Sequence, residues 1–359
     1  MRANRTLKDD LLPLQQAVSQ VMAIEESNWG EGFVELAGRF YPFLSQPLLV
    51  LRDQLAPFGH PYHLRRNGDR VILRLWEEKR TKERPAWLLN LFLFLLTLTS
   101  TLYAGSLQEG GNPFRHLADL LRGIPFSFTL MAILGIHELG HYFVSRRRHI
   151  RVTLPYFIPA PSILGTFGAF IKMKSPVPDK RTLLDIGVAG PLAGFAIALP
   201  ALIIGLLLSQ VTPSTHAGGI LLGDSLLLKL LSFLIVGPIP ADYDLVLHPV
   251  AFAGWIGTLV TALNLLPLGQ LDGGHVAYAL FGKRQHWLAR IIFFALIILG
   301  FFWQGWLFWA LLILIMGMRH PAPLDDWTPL DGRRKALGLL AFLILVMCFI
   351  PVPFQFRGL

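Results

Sequence analysis

The stretch that decides the fold is "GIHELGHYFVSRRR", Gly135 to Arg148. It sits in otherwise lipid-like sequence and ends in a run of arginines, so it reads as a membrane-crossing helix that meets a basic boundary. A glutamate near the middle of such a helix costs roughly 2.5 to 3.5 kcal/mol on insertion scales, which marks Glu138 as a functional position. His137 and His141 stand four residues apart, about 40° around a helix, so both imidazoles leave the same face one turn from each other. A tetrahedral zinc ion needs that spacing from two of its ligands, with Glu138 beside them to take a proton from water. The plain alternative is a polar cluster that hydrogen-bonds between helices.

The rest of the chain has the same character. Of 359 residues 53% are hydrophobic and only 15% charged, against roughly 25% charged in an ordinary soluble domain. Apolar blocks run from Pro85 to Gln108, Ile186 to Gly223, Leu245 to Leu271, Ile291 to Met318 and Ala336 to Phe356. Each reaches the roughly 20 residues a helix needs to cross hydrocarbon. Disorder is excluded, and an all-α polytopic membrane protein is expected. The one cysteine, Cys348, excludes an internal disulfide. No apolar stretch lies near Met1, so no cleavable signal peptide is expected.

Residues 1–84 predict a small α+β domain on the cytoplasmic side, soluble or at the membrane surface. A helix is expected over Leu7 to Glu25, and "YHLRRNGDRVILRLWEE" alternates as strands around an Asn67-Gly68 hairpin signal. Residues 85–359 form the membrane domain. "KRTKER" (Lys79 to Arg84), "RRRHIR" (Arg146 to Arg151), Lys180-Arg181, Lys283-Arg284 and "RRK" (Arg333 to Lys335) would share the cytoplasmic side. That predicts about seven spans, roughly six to eight, near 86–106, 124–145, 184–209, 249–269, 288–302, 304–318 and 336–354. Leu226 to Val236 is too short to cross and reads as a surface helix or a dip. The formal charge of +9 is explained by these boundary residues, so nucleic-acid binding is not expected.

Two histidines do not complete a catalytic zinc site, which takes three protein ligands and keeps one position open. His149 lies among four arginines and reads as a headgroup-level side chain. The better third ligand is in "NLLPLGQLDGGH", where Asp272 is the only acid between Asp244 and Asp325. Pro267 and Gly273-Gly274 break the helix there, which frees backbone and lets the carboxylate turn inward. Asp272 could instead cap a short helix from His275 to Phe281.

HELGH (His137 to His141) and NLLPLGQLDGG (Asn264 to Gly274), in that order on separate spans, resemble the site-2 proteases, intramembrane zinc metalloproteases. The intervening "GTFGAFIKMKSPVPDKRTLLDIGVAGPLAGF" looks like the bacterial and plastid members. The similarity covers about 120–285 and hardly touches the N-terminal domain. It implies one zinc per chain held by His137, His141 and Asp272, with Glu138 as general base. It implies that Asn264 contacts substrate or the developing oxyanion; the residues alone equally allow a hydrogen bond to an unwound carbonyl near Pro267. About 38 residues separate Arg146 from Leu184, too few for a PDZ domain, and no regulatory domain is expected beyond Leu359.

"GTFGAFIKMK" alternates enough for a short membrane-associated hairpin or edge strand. The resemblance suggests that it pairs with an extended substrate, with Phe167 and Gly168 as the substrate-binding candidates; a plain loop beside the third span is the alternative. Gly187, Gly190 and Gly194 share one side of a helix and read as a close-packing face against the metal helix. His275 reads as a neighbour of the site or a helix start, not a fourth ligand. The function implied is an intramembrane endopeptidase that cuts single-span membrane proteins in the bilayer, in a bacterial inner membrane with a cytoplasmic N-terminus. The alternative from another class is a polytopic metal transporter, which should show an internal repeat and polar residues at matching depth on several helices. Neither is visible.

Overall fold

The computed structural model describes residues 7, 9–30, 32–44, 47–60, 62–67, 69–77, 87–214, 219–318 and 320–357. The chain divides into two units, Met1–Arg84 and Pro85–Leu359. Gly68 of the hairpin signal and the basic run from Lys79 to Arg84 lie outside the described residues.

The first unit runs α1 (Leu11–Ser19), β1 (Met22–Gly30), β2 (Phe33–Phe40), α2 (Pro47–Leu55), β3 (Tyr62–Asn67) and β4 (Arg70–Trp76). Its sheet is antiparallel in the order β1-β2-β4-β3. Along β4 the burial alternates, with Val71, Leu73 and Leu75 inside, the period of two that a one-sided sheet imposes. Asn67 pairs with Arg70, so β3 and β4 form a hairpin at the expected place. The expected helix over Leu7 to Glu25 is corrected. It ends at Ser19, and Met22, Ala23 and Ile24 pair with Phe40, Arg39 and Gly38 of β2. Ladder bonds from a strand 16 residues away outweigh a weak local helix preference, an effect of tertiary context.

The second unit begins with α3 (Trp87–Gln108), a 3₁₀ turn at Leu117–Gly123 and α4 (Ile124–Arg147). The hairpin β5 (Tyr156–Pro159) and β6 (Thr166–Phe170) follows, then α5 (Lys180–Leu207), β7 (Gln210–Pro213), β8 (Gly219–Leu222), α6 (Leu226–Ile235) and β9 (Tyr243–Val246). After these come α7 (Pro249–Leu265), α8 (Asp272–Phe281), α9 (Gln285–Leu299), α10 (Gly305–Met316), α11 (Gly332–Cys348) and β10 (Phe354–Arg357). β10 pairs with β8 and β7 with β9, both antiparallel.

Among the described residues, three helical stretches are long and apolar enough to cross a membrane: Trp87–Gln108, Leu117–Arg147 and Lys180–Leu207. Of the other expected spans, α7 and α11 have 17 residues each, α9 has 15 and α10 has 12. The apolar run after Leu288 divides in two at the turn between Leu299 and Gly305, and α9 packs against α10.

α5 is the hub. It packs most extensively against α4 and α7 and also against α8. Asp179 caps its start by accepting from the Thr182 N–H at 2.7 Å. One buried cluster joins Phe126, Leu130 and Leu134 of α4 to Leu202 and Leu206 of α5 and to Trp255 and Ile256 of α7. A second joins Leu184 and Val188 of α5 to Ala262 and Leu265 of α7, Val276 and Tyr278 of α8, and Ala341 and Ile344 of α11. The helix carrying both histidines is thereby locked to the elements flanking Asp272.

Candidate metal centre

His137 and His141 leave the same face of α4 and are 3% and 5% exposed, with ring centroids 4.9 Å apart. Their Nε2 atoms face each other at 3.2 Å. The Nδ1 of His141 lies 2.9 Å from the Ile186 carbonyl oxygen. A carbonyl only accepts, so Nδ1 carries the proton and, in the neutral ring, Nε2 keeps a free lone pair aimed at its neighbours.

Asp272 enters from the break between α7 and α8. α7 ends at Leu265, and the next six residues are irregular. A side chain at Gly273 would put its Cβ 1.9 Å from the Leu265 carbonyl oxygen, and one at Gly274 would lie 2.4 Å from that of Gly269. Both glycines are therefore required for the chain to fold back so tightly. The fold-back brings Asp272 Oδ2 to 3.1 Å from His141 Nε2 and 3.3 Å from His137 Nε2. Among the described residues this is the one group of three histidine, cysteine or acidic side chains with ligand atoms close enough to share a metal ion, all within 4.8 Å of one another.

Glu138 is buried beside them, its Oε1 3.9 Å from His137 Nε2. The backbone of Ile171, one residue past β6, lies beside the Glu138 carboxylate. Asn264, from the last turn of α7, brings Nδ2 to 3.3 Å from His137 Nε2. Phe167 and Gly168 lie on β6. Phe167 is 75% exposed, and Gly168 has φ +101° and pairs with Ile158. Among the described residues β6 pairs only with β5, leaving its other edge without a strand. The hairpin is fastened to α3, where Asn90 Nδ2 donates to the Leu154 and Pro155 carbonyls at 3.1 and 2.8 Å and Ser100 Oγ donates to that of Gly165 at 2.6 Å.

The glycine face of α5 lies against these groups. A Cβ at Gly190 would sit 2.0 Å from His141 Nε2, one at Gly194 would sit 3.1 Å from His137 Nδ1, and one at Gly187 would sit 2.9 Å from His275 Cβ. The close approach therefore serves His141 and His137 directly, as well as the helix contact. His149 is exposed at the end of α4 with φ 59°. His275 turns to His320, its Nδ1 in hydrogen-bond contact with His320 Nε2.

Two features escaped the sequence reading. His320 lies in the segment after α10, with no local pattern to mark it. Asp185 was detectable, since it is the only acid between Asp179 and Asp224.

Residues 125–302 match the model of peptidase family M50. The chain is 32% identical over 319 residues to probable zinc metalloprotease EGY1, chloroplastic, of Arabidopsis thaliana, covering 80% of this chain and 58% of that one. It is 30% identical over 304 residues to probable zinc metalloprotease EGY2, chloroplastic, of the same plant, covering 80% and 53%. The chain thus spans little more than half the length of these curated relatives. No solved structure matches it. With both motifs inside the matched region and their side chains converging, the chain belongs to peptidase family M50, the site-2 protease family.

Proposed function

We propose that the protein is a zinc-dependent intramembrane endopeptidase that cuts the membrane-spanning segments of single-span proteins. The observation that carries this reading is the convergence of His137, His141 and Asp272 beside Glu138. Zinc bonds of 2.0 to 2.2 Å at tetrahedral angles imply ligand atoms about 3.3 to 3.6 Å apart. The three separations here, 3.1, 3.2 and 3.3 Å, lie at or just below the short end of that range, so a small opening of the three side chains admits the ion. His137, His141 and Asp272 would hold one zinc ion, which when bound supplies Lewis acidity toward a water and a peptide carbonyl.

The chain's own residues do the rest. Glu138 accepts the proton of the attacking water and returns it to the leaving amine. The carbonyl of Ile186 keeps His141 in the tautomer that leaves Nε2 free. Asn264 offers an amide N–H to the developing oxyanion or to substrate backbone. A substrate helix must unwind to expose a peptide bond, and the edge of β6 beside Phe167, unpaired with any described strand, offers it new backbone partners, while the Gly168 N–H would have to leave Thr166 Oγ1, 2.9 Å away, to join them. Ile171, one residue past that edge, lies beside Glu138, so a strand lying along β6 is led toward the base.

The finer topology proposed is about seven crossings by α3, α4, α5, α7, α9, α10 and α11, with α6 at the surface and the 1–84 domain on the cytoplasmic side. The relatives named above are chloroplastic, and the bacterial inner membrane expected from sequence draws no support from them. Their naming as metalloproteases favours a peptidase over the transporter alternative. Purified protein in proteoliposomes tests the choice, with tagged single-span substrates present and zinc movement followed in parallel. Cleavage by the wild type and none by Glu138→Ala supports the proposal; zinc crossing the bilayer with no cleavage overturns it.

A further inference from the structure

Asp185 lies one residue before the carbonyl that orients His141. Its side chain is 15% exposed and stands near the start of α5, where the ends of three helices meet. Arg334, in the first turn of α11, grips it with a two-pronged fork, Nε to Oδ1 at 2.8 Å and Nη2 to Oδ2 at 2.9 Å. Arg148, which closes α4, donates to Oδ2 from its Nη2. Arg334 also donates to Asp331, the N-cap of α11. Two cations and two carboxylates balance, so the network carries no net charge at the membrane boundary.

The geometry points to Asp185 as a positioning residue for His141, acting through the Ile186 carbonyl, with Arg148 and Arg334 as the cations that hold it in register. This rests on the zinc-site reading. A helix rises 1.5 Å per residue, so sliding α5 by a single residue against α4 would remove the 2.9 Å contact between His141 Nδ1 and the Ile186 oxygen. It would also carry Gly190, the one position on α5 whose missing Cβ makes room for His141 Nε2, out of line. Arg148 is seven residues past His141 on the same helix, and Asp185 immediately precedes Ile186. The ion pair and the hydrogen bond therefore bind the same two helices at two depths, and the charged pair sets the register that the neutral one needs. A bidentate guanidinium–carboxylate pair has the directionality for that task.

The test uses full-length protein in detergent and three readouts: zinc affinity by chelator competition, the visible spectrum of the cobalt-substituted protein, and melting of the metal-free form. Asp185→Asn is expected to weaken zinc binding by about 10- to 100-fold, the range for groups that orient a metal ligand, and to shift the cobalt bands. Asp185→Glu is expected to restore part of both. Arg148→Met and Arg334→Met should move zinc affinity in the same direction, while Arg146→Met, at the same boundary but outside the network, should not. Wild-type zinc affinity and cobalt spectrum in Asp185→Asn overturn the inference. So does a loss of zinc affinity fully matched by lower melting of the metal-free protein, since that is a structural role only. If His141→Ala and Asp272→Ala bind zinc as tightly as wild type, the zinc-site reading itself has failed, a result distinguishable from the others.

Discussion

His141 Nε2 and Asp272 Oδ2 lie 3.1 Å apart although 131 residues separate them in the chain. The contact spans two helices that do not follow one another and depends on the fold-back at Gly273 and Gly274. It predicts that Asp272→Ala and His141→Ala each lower zinc affinity by more than the roughly 100-fold upper range for an orienting partner. Chelator competition on the purified variants checks this.

The glycine face of α5 makes a graded prediction. Gly190→Ala drives a methyl group to 2.0 Å from His141 Nε2, whereas Gly194→Ala meets His137 Nδ1 at 3.1 Å. Overpacking of this kind costs about 1 to 3 kcal/mol. Gly190→Ala is expected to lose zinc binding and Gly194→Ala to weaken it mildly. Gly332→Ala, which meets nothing within 4 Å, should leave zinc binding unchanged. Metal content after dialysis ranks the three.

Asn90 is a buried amide on an apolar helix, and its two bonds to the Leu154 and Pro155 carbonyls hold β5 against α3. Asn90→Leu leaves both carbonyls without that donor, at a cost of about 1 to 3 kcal/mol for each if left unsatisfied. Because the proposed substrate edge lies on the hairpin and the proposed metal ligands do not, zinc affinity should hold while KM for a single-span substrate rises. Parallel zinc titration and cleavage kinetics separate the two effects.

Much of this site was legible because its chemistry is local. The histidine spacing follows from one turn of helix, and Glu138 and Asp272 stand out as acids in apolar sequence. The glycines at 187, 190 and 194 announced a close approach, though not that His141 and His137 lie beneath two of them. Other features depend on partners far along the chain. The strand at Met22 exists because β2 is there to pair with it. His320 finds His275 across 45 residues, and Asp185 finds Arg334 across 149. No window of sequence contains both ends of such contacts.

His320 also gives a pH dependence. Burial, with the neighbouring His275 adding to it, pushes its imidazole down from 6.5 to about 3. The unfolded ring takes up a proton near pH 6.5 and the folded one resists until about 3, so its contribution is full above pH 6.5 and is lost as pH falls toward 3. Hydrogen exchange over residues 320–331 should therefore quicken on acidification through that window. His320→Gln should flatten the response.

Glu138 is the proposed base beside the proposed three-ligand zinc site. The direct test is cleavage of a single-span substrate in proteoliposomes by wild type and Glu138→Gln, with bound zinc measured in the same samples and the cut mapped by mass. One zinc per chain is expected in both, with a cut inside the membrane segment by wild type and no cut by Glu138→Gln. Undiminished cleavage by Glu138→Gln at full zinc occupancy would contradict that role for Glu138.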